Sequence, residues 1–266
     1  MKRAVFILLV VQTFCFSQFD EVKLLQDKLI HEELTGSNVA MVYKEGKTIF
    51  FNIQNSGKVG DRNISNQSYK PYKETLFPIW SMSKPIATVA TMILIERGVI
   101  KLNDPVSLYI PTLKNMNCES ENGIRPCAKE IKIIDLLTHR SGLGYYGNKG
   151  YGYGYTNTIR YNTLEEFAND LSDIVLKFEP GSGYFYGINQ AVLGRVIEVA
   201  SKQTFYKFLK KELFDPLEMS ETKFYLTEAD RSRFQALFIN TGALKGFTFE
   251  LNELSYQESS QAYFGG

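Results

Sequence analysis

Ser81 and Lys84 stand three residues apart in Ser81-Met82-Ser83-Lys84, directly ahead of the apolar run 86–95. On a helix, positions i and i+3 share a face with Cβ atoms about 5–6 Å apart, so an amine at Lys84 reaches a hydroxyl at Ser81. A neutral serine is a weak nucleophile, and an adjacent amine that takes its proton activates it for attack on an acyl group. The amine can do this only in its neutral form, which burial and a nearby positive charge at a helix start favour. The alternative role for Ser81 is to cap a core helix.

The S-x-x-K spacing is not by itself diagnostic, since composition alone gives about one match in a chain of this length. A second copy, Ser220-Glu221-Thr222-Lys223, has no helical apolar period after it and reads as a solvated turn. At Ser81 the context differs. Leu76-Phe77-Pro78-Ile79-Trp80 reads as a strand-like approach, and the apolar stripe that follows ends at Arg97-Gly98, a cationic last turn with a glycine cap.

Other chemistries are poorly supplied. The chain has two histidines, His31 and His139, and no G-x-S-x-G segment around Ser81, so a Ser-His-Asp triad is not expected. Zinc needs about four ligands and the chain has only the two histidines, so a metal site is not expected. No other cofactor is implied. A net charge of +1 with no basic patch removes polyanion binding, so no nucleic-acid partner is expected and a small-molecule or peptide substrate is.

The 266 residues, 44% of them hydrophobic, suffice for one large domain or two small ones. Residues 1–17 read as a signal peptide: Lys2 and Arg3, a short apolar run 4–11, and small residues at Cys15 and Ser17 ahead of cleavage at Gln18. That run is too short to span a bilayer comfortably, Cys15 is poorly placed for lipid attachment, and no stable membrane insertion is expected after cleavage. The expectation is a periplasmic or secreted protein. In that oxidising setting Cys118 and Cys127, which bracket a polar turn-rich loop, are expected to form a disulfide worth about 2–3 kcal/mol at best.

The elements that must position Ser81 follow from periodicity. A helix is expected over 22–34, with His31 in a surface or capping role, and two strands over 38–43 and 48–53 joined at the turn 44–47. After the Ser81 helix come a short element over 102–111, a segment 131–137 leading into a turn at His139, and a Gly- and Tyr-rich loop over 147–155. Helical periodicity returns over 164–176, 190–200 and 205–213.

The order of these segments resembles the serine beta-lactamase and penicillin-binding superfamily, in its class C beta-lactamase-like branch that also holds esterases and D-amino-acid peptidases. The resemblance runs from about Asn38 to the end of the chain. It is carried by Phe77-Pro78-Ile79-Trp80-Ser81-Met82-Ser83-Lys84, Lys101-Leu102-Asn103-Asp104-Pro105-Val106, Ile134-Asp135-Leu136-Leu137-Thr138-His139-Arg140-Ser141-Gly142-Leu143 and Phe178-Glu179-Pro180-Gly181. Tyr186 with 192–198 and Leu213-Phe214-Asp215-Pro216-Leu217 follow in order.

The resemblance implies an α+β fold: an antiparallel sheet flanked by helices, and a mainly helical part. The domain would occupy 18–266, with 18–80 holding the N-terminal helix and hairpin and 81–266 the helical part. It further implies Ser81 as the acylated nucleophile, Lys84 as its amine partner and Tyr186 as the phenol that relays a proton to the leaving group; Tyr184 is the runner-up phenol. The residue two positions beyond Tyr186, where many members carry Asn, is Ile188, which resembles the esterase-like members more than the true beta-lactamases. Members close the site with a third motif, K-[ST]-G or H-x-G, on a late strand. Asn240-Thr241-Gly242 is too early for it, so the domain is expected to be incomplete, lacking the C-terminal strands of its sheet. The implied activity is that of an exported serine hydrolase acting on an ester, amide or beta-lactam. A non-catalytic module that recognises cell-wall peptide and an inactive remnant are the alternatives.

Overall fold

The computed structural model describes residues 19–32, 34–35, 37–55, 74–77, 79–145, 161, 163–231, 238–239 and 247–248. The expected signal peptide, the 147–155 loop and Asn240-Thr241-Gly242 lie outside them. Contacts divide the chain into two units, Met1–Pro78 with Glu228–Leu251, and Ile79–Thr227 with Asn252–Gly266.

In the first unit, helix α1 spans 19–31, earlier than the 22–34 expected from periodicity. Strands β1 (Ser37–Lys44) and β2 (Lys47–Asn55) form an antiparallel hairpin. Its two-residue turn, Glu45 and Gly46, has φ of 50° and 76°, the left-handed pair that matches the twist of a tight hairpin. One face meets α1: Phe19 stacks on Phe50 at 4.8 Å, and Gln26 exchanges side-chain hydrogen bonds with Asn38 and Asn52. The other face carries Met41 opposite Phe51, both exposed. Helix α7 (Glu228–Arg231) and the short pair β6 (Phe238–Ile239) and β7 (Phe247–Thr248) belong to the same unit.

The second unit is mainly helical and holds the large core. A 3₁₀ turn, Trp80–Ser83, runs into α2 (Lys84–Glu96), with Pro85 in its first turn, where a missing N–H costs nothing. The expected strand before it is absent; Leu76 makes only an isolated bridge, and Trp80 takes a φ of 40° that no strand admits. Two more 3₁₀ turns occupy Val106–Leu108 and Pro111–Leu113. The 119–126 stretch, expected as a loop, is the hairpin of β3 (Asn117–Ser120) and β4 (Gly123–Pro126). Then come α3 (Ile133–Leu137), α4 (Leu164–Asn169) and β5 (Val175–Leu176), the last pairing parallel to β3. The helix expected over 164–176 stops early because Asn169, Asp170, Ser172 and Asp173 favour local turns over helix.

Helix α5 (Asn189–Ser201) is the central element, burying Ala191, Val192, Leu193, Val196 and Ile197. It packs against α2, α3, α4 and α6 (Phe205–Leu209). A Cβ at Gly194 would stand 2.9 Å from Leu164 and 3.1 Å from Phe205, so glycine is what lets α4 and α6 close on α5. The apolar period over 205–213 breaks at Lys210, where the chain widens into a π turn, Lys210–Phe214, that still buries Phe214.

Several of the sequence blocks are fasteners of this core. Asp104 accepts from Lys101 N–H and from the Tyr109 hydroxyl, each at 2.8 Å, and burial together with Asp104 pushes the Tyr109 phenol up to about 12. Asp135 caps α3 by accepting from Lys132 N–H at 3.0 Å. Glu198 accepts from Phe205 N–H at 3.1 Å and pairs with Arg195 at 3.3 Å, locking the α5–α6 corner.

Candidate active site

Ser81 sits on the Trp80–Ser83 turn and not on α2 itself. Ser83 occupies the N-cap position of α2, so the capping role for Ser81 is set aside. In a 3₁₀ turn, side chains at i and i+3 eclipse one another, a tighter stacking than the α-helical one expected. Lys84 therefore reaches straight back: its Nζ donates to Ser81 Oγ at 2.9 Å. Lys84 is 8% exposed, whereas Ser81 faces solvent. Trp80, immediately before the serine, is in the left-handed region, unusual for a bulky side chain and typical of strain stored beside functional groups.

Tyr186 arrives from the other side, 105 positions away in sequence. Its hydroxyl donates to Ser81 Oγ at 2.8 Å, and Lys84 Nζ lies 4.8 Å from the centre of its ring. Tyr184, the runner-up, is 67% exposed and has no such contact with Ser81. Burial opposes ionisation of the Tyr186 phenol, but the hydrogen bonds to Lys84 and Ser81 and the charge of Lys84 outweigh it, so the phenol is more acidic than a free tyrosine. All three residues expected to form the site are thus in mutual contact.

Sequence reasoning set His139 aside as a base, and it missed what that residue touches. The imidazole stacks on the Tyr186 ring, with centroids 4.6 Å apart and 28° between planes. His139 is buried at the end of α3 with φ of 55°, a conformation that turns the chain back toward Tyr186. Its Nδ1 lies 2.9 Å from Asn189 Nδ2 and accepts from Gly187 N–H at 3.4 Å. Asn189 Oδ1 in turn accepts from the Ser141 hydroxyl, and Ser141 Oγ accepts from Leu143 N–H at 3.0 Å. Burial and then the charge of Lys84 hold the His139 pKa below its usual value. The signal was present in the block Thr138-His139-Arg140-Ser141-Gly142 and in Asn189, but nothing in the spacing joins them. Ile188, at the family's usual Asn position, is buried among apolar neighbours.

The backbone behind Tyr186 is zipped to the His139 turn. Lys177, Gly181 and Phe185 donate their N–H groups to Gly142, Arg140 and His139 carbonyls at 3.0, 2.8 and 2.9 Å. Glu179 accepts from Ala128 N–H and pairs with Arg125 at 2.6 Å, and its carboxyl is held below its usual range: burial raises it, and these partners overcome that. A Cβ at Gly142 or Gly187 would meet backbone at 2.8 or 2.5 Å, so both must be glycine for the two segments to approach. Cys118 and Cys127 are joined in a disulfide with Cα atoms 5.1 Å apart, which staples the β3–β4 hairpin below Glu179. Their sulfurs lie near the Glu179 carboxylate, but as a disulfide they offer no thiolate to a metal.

The family described as Beta-lactamase matches residues 27–247. The chain belongs to the beta-lactamase family. Within this family of serine hydrolases it is 30% identical over 213 residues to Esterase EstB of Burkholderia gladioli, covering 77% of this chain and 51% of that one. It is 25% identical over 242 residues to Teichoic acid D-alanine hydrolase of Staphylococcus aureus (strain MRSA252), covering 90% and 52%. Among solved structures, EstCE1, a hydrolase with promiscuous acyltransferase activity, superimposes with a TM-score of 0.71 at 23% identity, covering 93% of this chain and 67% of that one. The α+β beta-lactamase-like fold is thereby established. The chain spans about half the length of the curated relatives it matches.

Proposed function

We propose that Ser81, Lys84 and Tyr186 form the acylation centre of an exported serine hydrolase whose substrate is an ester, amide or beta-lactam. The observation that carries this is the convergence of an amine at 2.9 Å and a phenol at 2.8 Å on one solvent-facing hydroxyl. Ser81 Oγ attacks the acyl carbon while its proton passes to the Lys84–Tyr186 pair. The bond to the leaving group then breaks, with Tyr186 returning a proton to the departing oxygen or nitrogen. Water admitted on the same face hydrolyses the acyl-serine. The similarity to a protein named as an esterase, and Ile188 in place of an amide, favour an ester as the acyl donor.

Export to the periplasm or beyond the cell, with residues 1–17 removed, agrees with the Cys118–Cys127 pairing. Among the described residues no helix is long and apolar enough to cross a membrane. The test is labelling with a fluorophosphonate followed by peptide mapping. A single adduct on Ser81, lost in Ser81→Ala, is expected. An adduct on Ser220, or labelling that persists in Ser81→Ala, overturns the assignment, and a protein that binds cell-wall peptide without labelling is a recognition module instead.

A further inference from the structure

Asn189 has only one orientation that satisfies its neighbours. Leu143 presents a carbonyl to Nδ2 at 3.4 Å, and the Ser141 hydroxyl, whose oxygen is engaged by Leu143 N–H, has its proton free for Oδ1. One Nδ2 hydrogen goes to that carbonyl and the other points at His139 Nδ1, as does Gly187 N–H. Two donors aimed at one ring nitrogen leave no room for a proton there, which fixes the imidazole as neutral with hydrogen on Nε2. Asn189, Ser141 and His139 are all buried, so water cannot easily replace a lost partner.

We propose that His139 is a positioning residue for Tyr186: only the neutral, Nδ1-accepting imidazole holds the phenol against Ser81, and protonation of His139 switches the site off. The inference rests on the reading of Ser81 as nucleophile. Tyr186 is fixed from two sides, by the stacked imidazole and by Gly187, whose N–H is bound to that same ring. A proton on Nδ1 would confront the Gly187 and Asn189 donors and push this corner, with Tyr186, away from Ser81. It would also set a second positive charge next to Lys84. Among the described residues, the titratable groups facing the ring are Lys84 of α2 and Tyr184 and Tyr186 of the segment before α5. The α5 start and the turn after α3 contribute the neutral Asn189 and Ser141. Asp135 and Arg140, the nearest charged residues in sequence, are engaged with Lys132 N–H and the Gly181 carbonyl.

The chain has two histidines, so ¹⁵N-histidine labelling in a His31→Gln background reports on His139 alone. Ring shifts are followed from about pH 8 to about pH 4.5, alongside the rate of fluorophosphonate acylation of Ser81. The expected result is a neutral ring protonated on Nε2 at the upper end, titrating below the usual 6.5, with acylation falling about tenfold per pH unit below the same midpoint. Asn189→Asp, which replaces the amide donor by a carboxylate acceptor, should raise the His139 midpoint and, by drawing a proton onto Nδ1, lower acylation about tenfold even at the upper end of the range. A proton found on Nδ1 in the unsubstituted protein overturns the inference, without reliance on any variant. So does acylation that stays normal in Asn189→Asp although the His139 titration moves. No labelling at any pH overturns the nucleophile reading and this inference together, whereas a displaced acid limb alone leaves the nucleophile standing.

Discussion

The β1–β2 hairpin and the α2–α5 region are both built from strongly apolar sequence, yet they use it differently. In the hairpin, β1 and β2 bury Phe50 against α1 while Met41, Tyr43, Ile49 and Phe51 remain between 44% and 64% exposed. In the helical unit, Leu136, Leu143, Leu171, Val192, Leu193, Val196 and Ile197 are all fully enclosed. Two strands and one helix can shield only one face of a sheet, and a two-stranded hairpin has little stability of its own. Helix α5, by contrast, is surrounded. The difference locates the chemistry: Ser81, Lys84, Tyr186 and His139 all belong to the unit whose core can hold a side chain to within a few tenths of an ångström.

The comparison can be broken most directly in the core. Phe208→Ala, at a side chain 2% exposed, should cost about 3–5 kcal/mol in denaturant unfolding, whereas Met41→Ala on the open hairpin face should change stability by less than about 0.5 kcal/mol. Equal costs would mean that the hairpin is as tightly packed as the helical unit. Next in size is the site itself. Lys84→Ala and Lys84→Arg should each lower Ser81 acylation at least about 10²-fold with little change in melting temperature, because a guanidinium cannot give up its proton in this range. Near-normal acylation in Lys84→Arg would transfer the base role to Tyr186.

Reducing the Cys118–Cys127 bond should remove about 2–3 kcal/mol and lower the melting transition by several degrees. Hydrogen exchange under these conditions should quicken in β3–β4 and in 177–186 before it does in α5; uniform acceleration would show that the staple acts on the whole unit and not on its own corner. The smallest expected effect is on stability with pH. His139 has a folded pKa below its unfolded one, so between the two values the unfolded chain binds more protons. Its contribution is complete above about pH 6.5 and is lost as pH falls through the folded value. A melting temperature independent of pH across that window in the unsubstituted protein, unchanged in His139→Asn, would deny His139 this role.

Much of this was legible beforehand. The i, i+3 spacing of Ser81 and Lys84 is a local relation, and so are the Glu45-Gly46 turn, the period of α2 and α5 and the order of the motif blocks; local backbone geometry translates each directly into structure. The Leu76–Trp80 strand and the long 164–176 helix failed because a strand needs a partner that sequence cannot name, and because turn-forming side chains outcompete a weak apolar period. Even at Ser81 the spacing was read on the wrong helix type: the serine lies on the 3₁₀ turn Trp80–Ser83, and α2 begins only at Lys84.

What the sequence determined by itself was the stock of reactive groups and the pair that meets along one turn. What only the tertiary structure decided was which distant side chains complete that pair. Tyr186 and not Tyr184 meets Ser81 because the segment is pinned to the His139–Gly142 turn, where the imidazole stacks on Tyr186 and Tyr184 is left exposed. His139, Ser141 and Asn189 become one hydrogen-bonded unit only once α3 and α5 pack together. Their separation of about fifty positions leaves no periodic trace, because contacts closed by a core depend on the whole packing and not on any local rule.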